Sequence, residues 1–220
     1  ITQKVIQAKD SLHGANKLAQ NQADSNVIIN QSTNLNDKQK QALNDLINHA
    51  QTKQQVAEII AQANKLNNDM GTLKTLVEEQ SKVHQQSKYI NEDPQVQNIY
   101  NDSIQKGLEI LNGSTDDVLN NNKIADAIQN IQLTKNDLHG EQKLQKAQQD
   151  ANNELNYLTN LNNSQRQSEH DEINSAPSRT EVSNDLNHAK ALNEVMRQLE
   201  NEVALENSVK KLSDFINEDE

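Results

Sequence analysis

The chain has no cysteine and no tryptophan, and its 220 residues include only 5 glycines, 2 prolines, 3 tyrosines and 1 phenylalanine. Without cysteine there is neither a disulfide framework nor a thiolate site. Aromatic side chains supply much of the buried area of large cores, so an aromatic content of 2% argues against one large core. Few glycines and prolines argue against a loop-rich fold. Together these absences favour small helical bundles held by Leu, Ile, Val and Ala.

The charge balance and the polarity restrict the class of partner. The 32 acidic and 21 basic residues give a formal net charge of −11, which repels nucleic acid and anionic membranes. The sequence contains no run of 18 apolar residues that would predict a membrane span. Asparagine (33) and glutamine (26) are abundant. Such polarity can indicate disorder, but regular apolar spacing and helix-capping residues predict a folded chain here.

An internal repeat is the strongest pattern in the sequence. Residues 12–93 realign with residues 138–219 at an offset of 126 without a gap. Leu12-His13-Gly14 returns as Leu138-His139-Gly140, and Tyr89-Ile90-Asn91-Glu92-Asp93 returns as Phe215-Ile216-Asn217-Glu218-Asp219. The chain therefore holds one full repeat and most of a second. We expect both ends to be cut from a longer tandem array.

The stretch from Thr52 to Asp93 is predicted to be one long helix. Thr52 and Gln55 form a capping-box pattern at its start, and Asp93-Pro94 ends it, with Asp93 as N-cap of the next helix. About 40 residues span roughly 60 Å, longer than one small bundle requires. One helix is therefore expected to serve two successive bundles, with a slight bend near Gly71. Its predicted apolar stripe comprises Val56, Ile59, Ile60, Ala63, Leu66, Met70, Leu73, Leu76, Val77, Val83 and Ile90.

The remaining pattern predicts an all-α fold of tandem three-helix bundles joined end to end by long shared helices, in an elongated rod. The predicted helices are 1–32, 37–49, 94–111, 123–159, 163–175 and 178–217. A loop is predicted at 114–122, directly after an αL helix stop at Asn112-Gly113. A second capping box is predicted at Ser178 and Glu181. The predicted domains are bundles at 1–72, 73–139 and 140–200, then the start of a further module at 201–220.

The two copies differ at positions predicted to be in the core. Ser25 stands where the second copy has Ala151. This change weakens the apolar stripe of the first helix unless Val27 and Ile28 supply apolar contacts in its place. Glu169 stands where the first copy has Leu43, and we expect its carboxylate to reach solvent, since burying an unpaired charge is costly. Helix 163–175 is accordingly predicted to be less well anchored than helix 37–49.

No catalytic, cofactor or metal site is predicted. The six histidines do not follow a metal-ligand spacing, and the consecutive residues His170-Asp171-Glu172 would point apart on a helix. Glu78-Glu79 and Asp116-Asp117 are interpreted as solvated surface. The six histidines are His13, His49, His84, His139, His170 and His188, and the aromatic residues expected in the core or at junctions are Tyr89, Tyr100, Tyr157 and Phe215.

Two segments resemble known modules. The sequence NLNDKQKQAL at 34–43, with Ala63, Leu66-Asn67 and Met70, resembles the GA module of the giant staphylococcal extracellular matrix-binding proteins. The segments at 89–93 and 100–102, leading to Leu138-His139-Gly140, resemble the FIVAR module that alternates with it. The individual motifs are short, but their order and the 126-residue period are specific, and together they cover essentially the whole chain.

The resemblance implies a non-enzymatic segment of a cell-wall-associated adhesin on the bacterial surface, without cofactors, that binds fibronectin through many weak contacts. We expect the fragment itself to be monomeric. A passive helical stalk that projects distant domains is the alternative. A third possibility is albumin capture by a GA-like module, although Glu169 and Glu172 depart from the apolar pattern in the second copy. The ligand-binding residues stay unknown from the sequence.

Overall fold

The computed structural model describes residues 3, 5–6, 13–212 and 216. The described residues are mostly helical and form no strand. None of these helices is both long and apolar enough to cross a bilayer. The helices are α1 (Gly14–Gln31), α2 (Asp37–His49), α3 (Lys53–Glu78), α4 (Gln80–Val83), α5 (Ser87–Ile90), α6 (Pro94–Leu111), α7 (Asn121–Asn136), α8 (Gly140–Leu155), α9 (Asn163–Ser175) and α10 (Arg179–Val209).

The chain divides into two compact units, the first formed by residues 1–82 and 95–137. Within this unit α1, α2 and α3 pack on one another, and the C-terminal half of α3 also packs on α7. Helix α3 therefore belongs to two successive bundles, as predicted. The buried residues of the two bundles are, respectively, Ile29, Leu43, Ile47, Val56, Ala63, Leu66 and Met70, and Leu73, Val77, Tyr100, Ile104, Ile124 and Ile131.

The second unit contains residues 83–94 and 138–220. Helices α8, α9 and α10 form a three-helix bundle, and the short helix α5 packs on α8. Leu144, Leu158, Leu186 and Leu192 extend the core as half-buried residues. The buried core residues are Ala151, Leu155, Leu161, Ile173, Ala176, Val182 and Ala189.

Amide side chains join the helices of the α1–α3 bundle and of the α8–α10 bundle at equivalent positions, which gives the high Asn and Gln content a role. Gln22 donates from Nε2 to the Asn48 carbonyl at 3.2 Å, and its counterpart Gln148 donates to the Asn174 carbonyl at 3.0 Å. The other equivalent pairs are Asn26–Asn48 and Asn152–Asn174, Asn34–Asn67 and Asn160–Asn193, and the capping boxes Asn36–Gln39 and Asn162–Gln165. Each bond satisfies a polar group at a helix end or a turn.

The prediction of unbroken helices at 1–32 and 123–159 was wrong. Helix α7 ends at Asn136 and α8 begins at Gly140, with His139 at φ −112° and ψ 24° between them. His13 has nearly the same conformation before α1. At His139 the backbone N–H donates to Oε2 of Glu92, so this amide is satisfied without an intrahelical bond.

The long helix also ends earlier than predicted, at Glu78. Val83 lies six residues after Val77, so in a continuous helix it would point about 120° away from it. Bonds from Lys82 N–H to Glu79 O and from Gln86 N–H to Val83 O form tight turns instead. As a result Val83 is buried with 2% exposure. Helix α3 is continuous through Gly71, where a Cβ would lie 2.7 Å from Nδ2 of Asn34.

Most predicted helix ends are confirmed. Thr52 and Gln55 form the capping box, and Pro94 begins α6. At Gly113 (φ 65°) the N–H bonds from Gly113 to Ile110 and from Ser114 to Glu109 form a Schellman motif, so the predicted αL stop is present. Ser178 accepts from the Glu181 N–H, while the Glu181 side chain bonds the Ser178 hydroxyl. The second capping box is therefore only half formed.

Several residues predicted to be buried are exposed. Tyr157 is 82% exposed, and Ile90 and Ile99 are at least half exposed. Val27 and Ile28 do not replace the missing apolar residues of α1, because both face solvent while Ser25 is buried. Tyr100 is fully buried, as predicted, and Tyr89 stacks on His84 at 4.2 Å. Phe215 lies outside the described residues.

Candidate functional site

The most extensive charged network in the second unit surrounds the N-terminal end of α8. We call Asn91, Glu92 and Asp93 the acidic clamp. These three residues follow α5 directly and precede Pro94, the first residue of α6, so the turn between two helices presents all three side chains together. The clamp contacts Lys143 on α8 and Arg179 at the start of α10.

Glu92 is the buried member of the clamp, with 5% of its surface exposed. Its carboxylate accepts hydrogen bonds from the Lys143 ammonium, from the Asp93 N–H at 2.8 Å and from the His139 N–H at 2.5 Å. Burial alone would raise the pKa of Glu92, but these hydrogen bonds outweigh burial, and the pKa is lowered. A negative charge at this position also interacts favourably with the N-terminus of α8.

Asp93 and Asn91 connect the clamp to α10. Asp93 accepts from Lys143 at 2.5 Å and from Nη1 of Arg179 at 2.8 Å, and these bonds lower the pKa of its carboxyl group. The side chain of Asn91 bonds two backbone groups: its Oδ1 accepts the Arg179 N–H at 2.8 Å, and its Nδ2 donates to the Pro177 carbonyl at 3.1 Å. The two carboxylates together raise the pKa of Lys143.

Gly140 is needed for this close contact. A Cβ at this position would lie 2.6 Å from the Lys88 carbonyl oxygen and 2.7 Å from the Glu92 nitrogen, both backbone atoms that cannot move aside easily. The absence of a side chain therefore lets the backbone of the clamp approach the first turn of α8. Sequence reasoning noticed the repeated His-Gly pair but did not connect it with the Asn-Glu-Asp sequence.

The structure brings a second polar group together within the bundle of α8, α9 and α10. Glu169 is 3% exposed, and its Oε1 lies 3.0 Å from Nδ1 of His188. The expectation that Glu169 reaches solvent was therefore wrong, because a histidine on the adjacent helix supplies a partner. Both residues are specific to the second copy, whose counterparts in the first are Leu43 and Gln62.

Glu169, Glu172 and His188 could together hold a cation, because their ligand atoms all lie within 4.8 Å of one another. Within the described part of the chain, this is the one group of three or more His, Cys, Asp or Glu side chains so arranged. His188 already accounts for the buried carboxylate of Glu169, so the cluster is explained without an ion. The sequence signal for this cluster was that three positions differ together between the copies. The first copy has Leu43, Leu46 and Gln62 where the second has Glu169, Glu172 and His188. That signal crosses two helices, so inspection of one helix at a time missed it.

The described side-chain contacts of the other histidines are local. Nδ1 of His49 lies 2.7 Å from the Asp45 carbonyl, and His170 contacts Asn174. His13 and His139 are exposed N-cap residues whose side chains make no capping bond. The clamp uses the backbone N–H of His139 instead.

Two surfaces within the described residues expose apolar side chains. In the first unit, a groove of about 450 Å³ between α2 and α3 is lined partly by Leu46 and Ile59. In the second copy the corresponding residues are Glu172 and Asp185. The other surface runs along the C-terminal half of α10, and its residues, each 43–65% exposed, are Val195, Leu199, Val203, Leu205 and Val209.

Comparison with known proteins assigns modules to these regions. The GA module model matches residues 15–69 and 141–195, and the FIVAR domain model matches residues 69–139. The chain is 40% identical over 218 residues to the extracellular matrix-binding protein EbhA of Staphylococcus aureus strain N315, and the alignment covers 99% of the chain and 3% of EbhA. The identity to Ebh of strain JH9 is also 40%, over 2% of that protein. The chain thus spans only a few per cent of the length of these relatives.

Solved structures show the same fold. Residues 756–1003 of EbhA from S. aureus superpose with a TM-score of 0.80 at 24% identity, covering 86% of this chain and 77% of that one. A structure from work on Embp-mediated adherence of Staphylococcus epidermidis to fibronectin superposes with a TM-score of 0.54 at 35% identity, covering 57% of this chain and 99% of that one. The chain belongs to the family of GA- and FIVAR-module repeats of the staphylococcal extracellular matrix-binding proteins.

Proposed function

We propose that the chain is a repeat segment of a giant, cell-wall-associated adhesin that binds host matrix, with fibronectin as the main partner. The observation that carries this proposal is similarity along 99% of the chain to proteins named for matrix binding. The Embp structure, described in connection with adherence to fibronectin, supports the choice of ligand. The segment acts as a non-enzymatic monomer at the bacterial surface.

Weak contacts that are repeated along an array suit this chain. Its surface carries a net charge of −11 and many amide groups, which offer hydrogen bonds without a dominant anchor. Linking many such modules raises the effective concentration of each after the first has bound, so avidity grows without a tight single site. The modules of this array are bundles 1–72, 73–139 and 140–200, and residues 201–220 begin a further FIVAR-like module.

The repeat supports that last assignment. Leu199, Val203 and Val209 are exposed on α10, whereas their counterparts Leu73, Val77 and Val83 are buried. In this proposal the exposed residues become the core of a FIVAR-like bundle when the helices corresponding to α6 and α7 follow. They are then not a ligand-binding face.

Surface plasmon resonance on immobilised fibronectin tests the main proposal. The 220-residue chain and a tethered array of it are compared with a helical bundle of similar charge, and albumin occupies a parallel channel. Saturable fibronectin binding above the control, stronger for the array, is the expected result. Absence of binding by both the chain and the array would contradict the proposal and favour a passive stalk, which the sharing of α3 between two bundles also suits.

Albumin binding by the first GA-like bundle is a second candidate, and the open groove beside Leu46 favours it. Leu46 is 44% exposed, whereas the second copy carries Glu172 there. The variant Leu46→Glu reproduces the second copy in the first. If albumin binds this groove, the variant loses the albumin signal and keeps the fibronectin signal. An unchanged albumin signal would contradict this assignment.

A further inference from the structure

The N-terminal end of α1 repeats the surface that the acidic clamp covers on α8. His13, Gly14 and Lys17 correspond to His139, Gly140 and Lys143, and Lys53 corresponds to Arg179. The backbone geometry is also the same: His13 has φ −108° and ψ 27°, against −112° and 24° at His139. These four residues of the second unit, which contact the clamp, thus each have a counterpart in the first.

The glycines differ in their surroundings. Gly140 is buried, and a Cβ there would collide with the backbone of Lys88 and Asn91. Gly14 is exposed, and a Cβ there would meet nothing within 4 Å. Glycine in a helix destabilises it relative to alanine, and at residue 14 no described contact requires it. A backbone segment that approached Gly14 as closely as residues 88–92 approach Gly140 would explain why position 14 is glycine.

The basic residues of the two copies differ in whether they are paired. Lys143 bonds both carboxylates of the clamp, and Arg179 bonds Asp93 and the Asn91 carbonyl. Among the residues that the structure describes, neither Lys17 nor Lys53 forms an ion pair. Two cations, on the first turn of α1 and at the start of α3, are therefore available to carboxylates in a chain with a net charge of −11.

We propose that this end of α1 is a docking surface for an Ile-Asn-Glu-Asp segment supplied by a preceding repeat of the same polypeptide. The chain itself carries that segment at 90–93 and again at 216–219, at the same spacing of 126 residues. The two carboxylates meet Lys17 and Lys53, the glutamate accepts the His13 N–H, and the backbone packs over Gly14. The relatives are far longer than this chain, which is consistent with such an upstream repeat.

Docking of this kind would fix each GA-like bundle to the FIVAR-like module before it. The Asn-Glu-Asp segment lies between two helices of one module and bonds the first helix and the third-helix start of the next, as α8 and α10 show in the second unit. A surface used in this way is not a host-ligand site. This inference is independent of what the array binds.

An extended chain tests the proposal. Residues 73–126 placed before Ile1 put a copy of the Asn-Glu-Asp segment 47 positions ahead of Gly14, the spacing between Asp93 and Gly140. Gly14→Ala is made in both the 220-residue chain and the extended chain, and unfolding is followed by heat. We expect the substitution to leave Tm unchanged or raised in the shorter chain and to lower it by about 4 °C or more in the extended one. Gly140→Ala, expected to lower Tm in both chains, is the positive control.

Amide exchange supplies a readout that needs no substitution. The His13 N–H is expected to exchange at least about tenfold more slowly in the extended chain than in the 220-residue chain. Replacing the added glutamate by alanine should remove this protection. Equal exchange in both chains, together with equal effects of Gly14→Ala, would overturn the proposal. Protection of His13 that appears in the 220-residue chain with rising concentration would instead assign the occupant to a second copy, and would overturn the upstream source.

Discussion

The backbone N–H of His139 donates to Oε2 of Glu92 at 2.5 Å, across 47 positions of the sequence. This bond occupies an amide that a continuous helix would use internally, and it lies directly before the start of α8 at Gly140. One buried carboxylate therefore satisfies the amide of the residue that precedes α8. The same carboxylate accepts Lys143, so its removal should affect the stability of the second unit in a measurable way.

Glu92→Gln should destabilise the second unit at neutral pH by about 1–3 kcal/mol, because a buried charged acceptor with three donors becomes a neutral group that also brings a donor of its own. Urea unfolding followed by circular dichroism measures the difference. Glu154→Gln, at an exposed ion pair with Lys190, is the matched control and should change stability by less than about 0.5 kcal/mol. Equal effects of the two substitutions would contradict the role given to Glu92.

Stability of the second unit should fall on acidification. The pKa of Glu92 is lowered from 4.5 and that of Asp93 from 3.8, so the folded state binds fewer protons than the unfolded state in this range. The stabilisation is complete above about pH 4.5 and is lost as the pH falls through the lower folded values. Unfolding curves between pH 7 and pH 2 measure it. Glu92→Gln should flatten this dependence, and an unchanged slope in the variant would count against the assignment.

Gly140→Ala should destabilise the second unit by more than about 1 kcal/mol, since its Cβ would meet backbone atoms at 2.6–2.7 Å. The matched substitution Gly14→Ala has open space and should be neutral or stabilise by up to about 1 kcal/mol. Chemical denaturation of both variants measures the difference. Loss of stability of similar size in both would show that the contact at Gly140 is not the cause.

Replacing residues of the second copy by those of the first tests the Glu169–His188 pair. His188→Gln alone should destabilise by about 1–3 kcal/mol, because it removes the partner of a buried carboxylate. Glu169→Leu with His188→Gln should restore or raise the stability, since Leu43 is fully buried at this position in the first copy. A double-mutant cycle by urea unfolding measures the coupling. Additive effects would contradict a direct interaction between the two side chains.

Helix α9 is still predicted to be less well anchored than α2. Its counterparts of Leu43 and Leu46 are glutamates, so it buries less apolar surface. Backbone amides of Asn163–Ser175 should therefore exchange faster than those of Asp37–His49 under native conditions. Hydrogen exchange measured by NMR compares them within one molecule. Exchange in α9 that is as slow as in α2 would refute the prediction.

Several features could be predicted because they depend on neighbours in the sequence. The capping box at Thr52, the stop at Gly113 and the start at Pro94 need only residues within one turn. The burial of Leu66 and Met70 follows from helical spacing. Ile90 and Tyr157 were misplaced because apolar character alone does not say which face of a short element meets a neighbour.

The sequence by itself determined the all-α class, the 126-residue period and the helices whose ends are capped locally, because each follows from short-range backbone chemistry or from self-similarity. Only the tertiary structure decided that Glu169 is buried, that α3 ends at Glu78 and that α8 is separate from α7. The end of α3 is followed by tight turns after which Val83 is buried. The other two features involve partners that are distant in the chain: His188 contacts the carboxylate of Glu169, and Glu92 accepts the N–H of His139 directly before α8. Helical periodicity carries no information about such partners, since it describes one helix at a time.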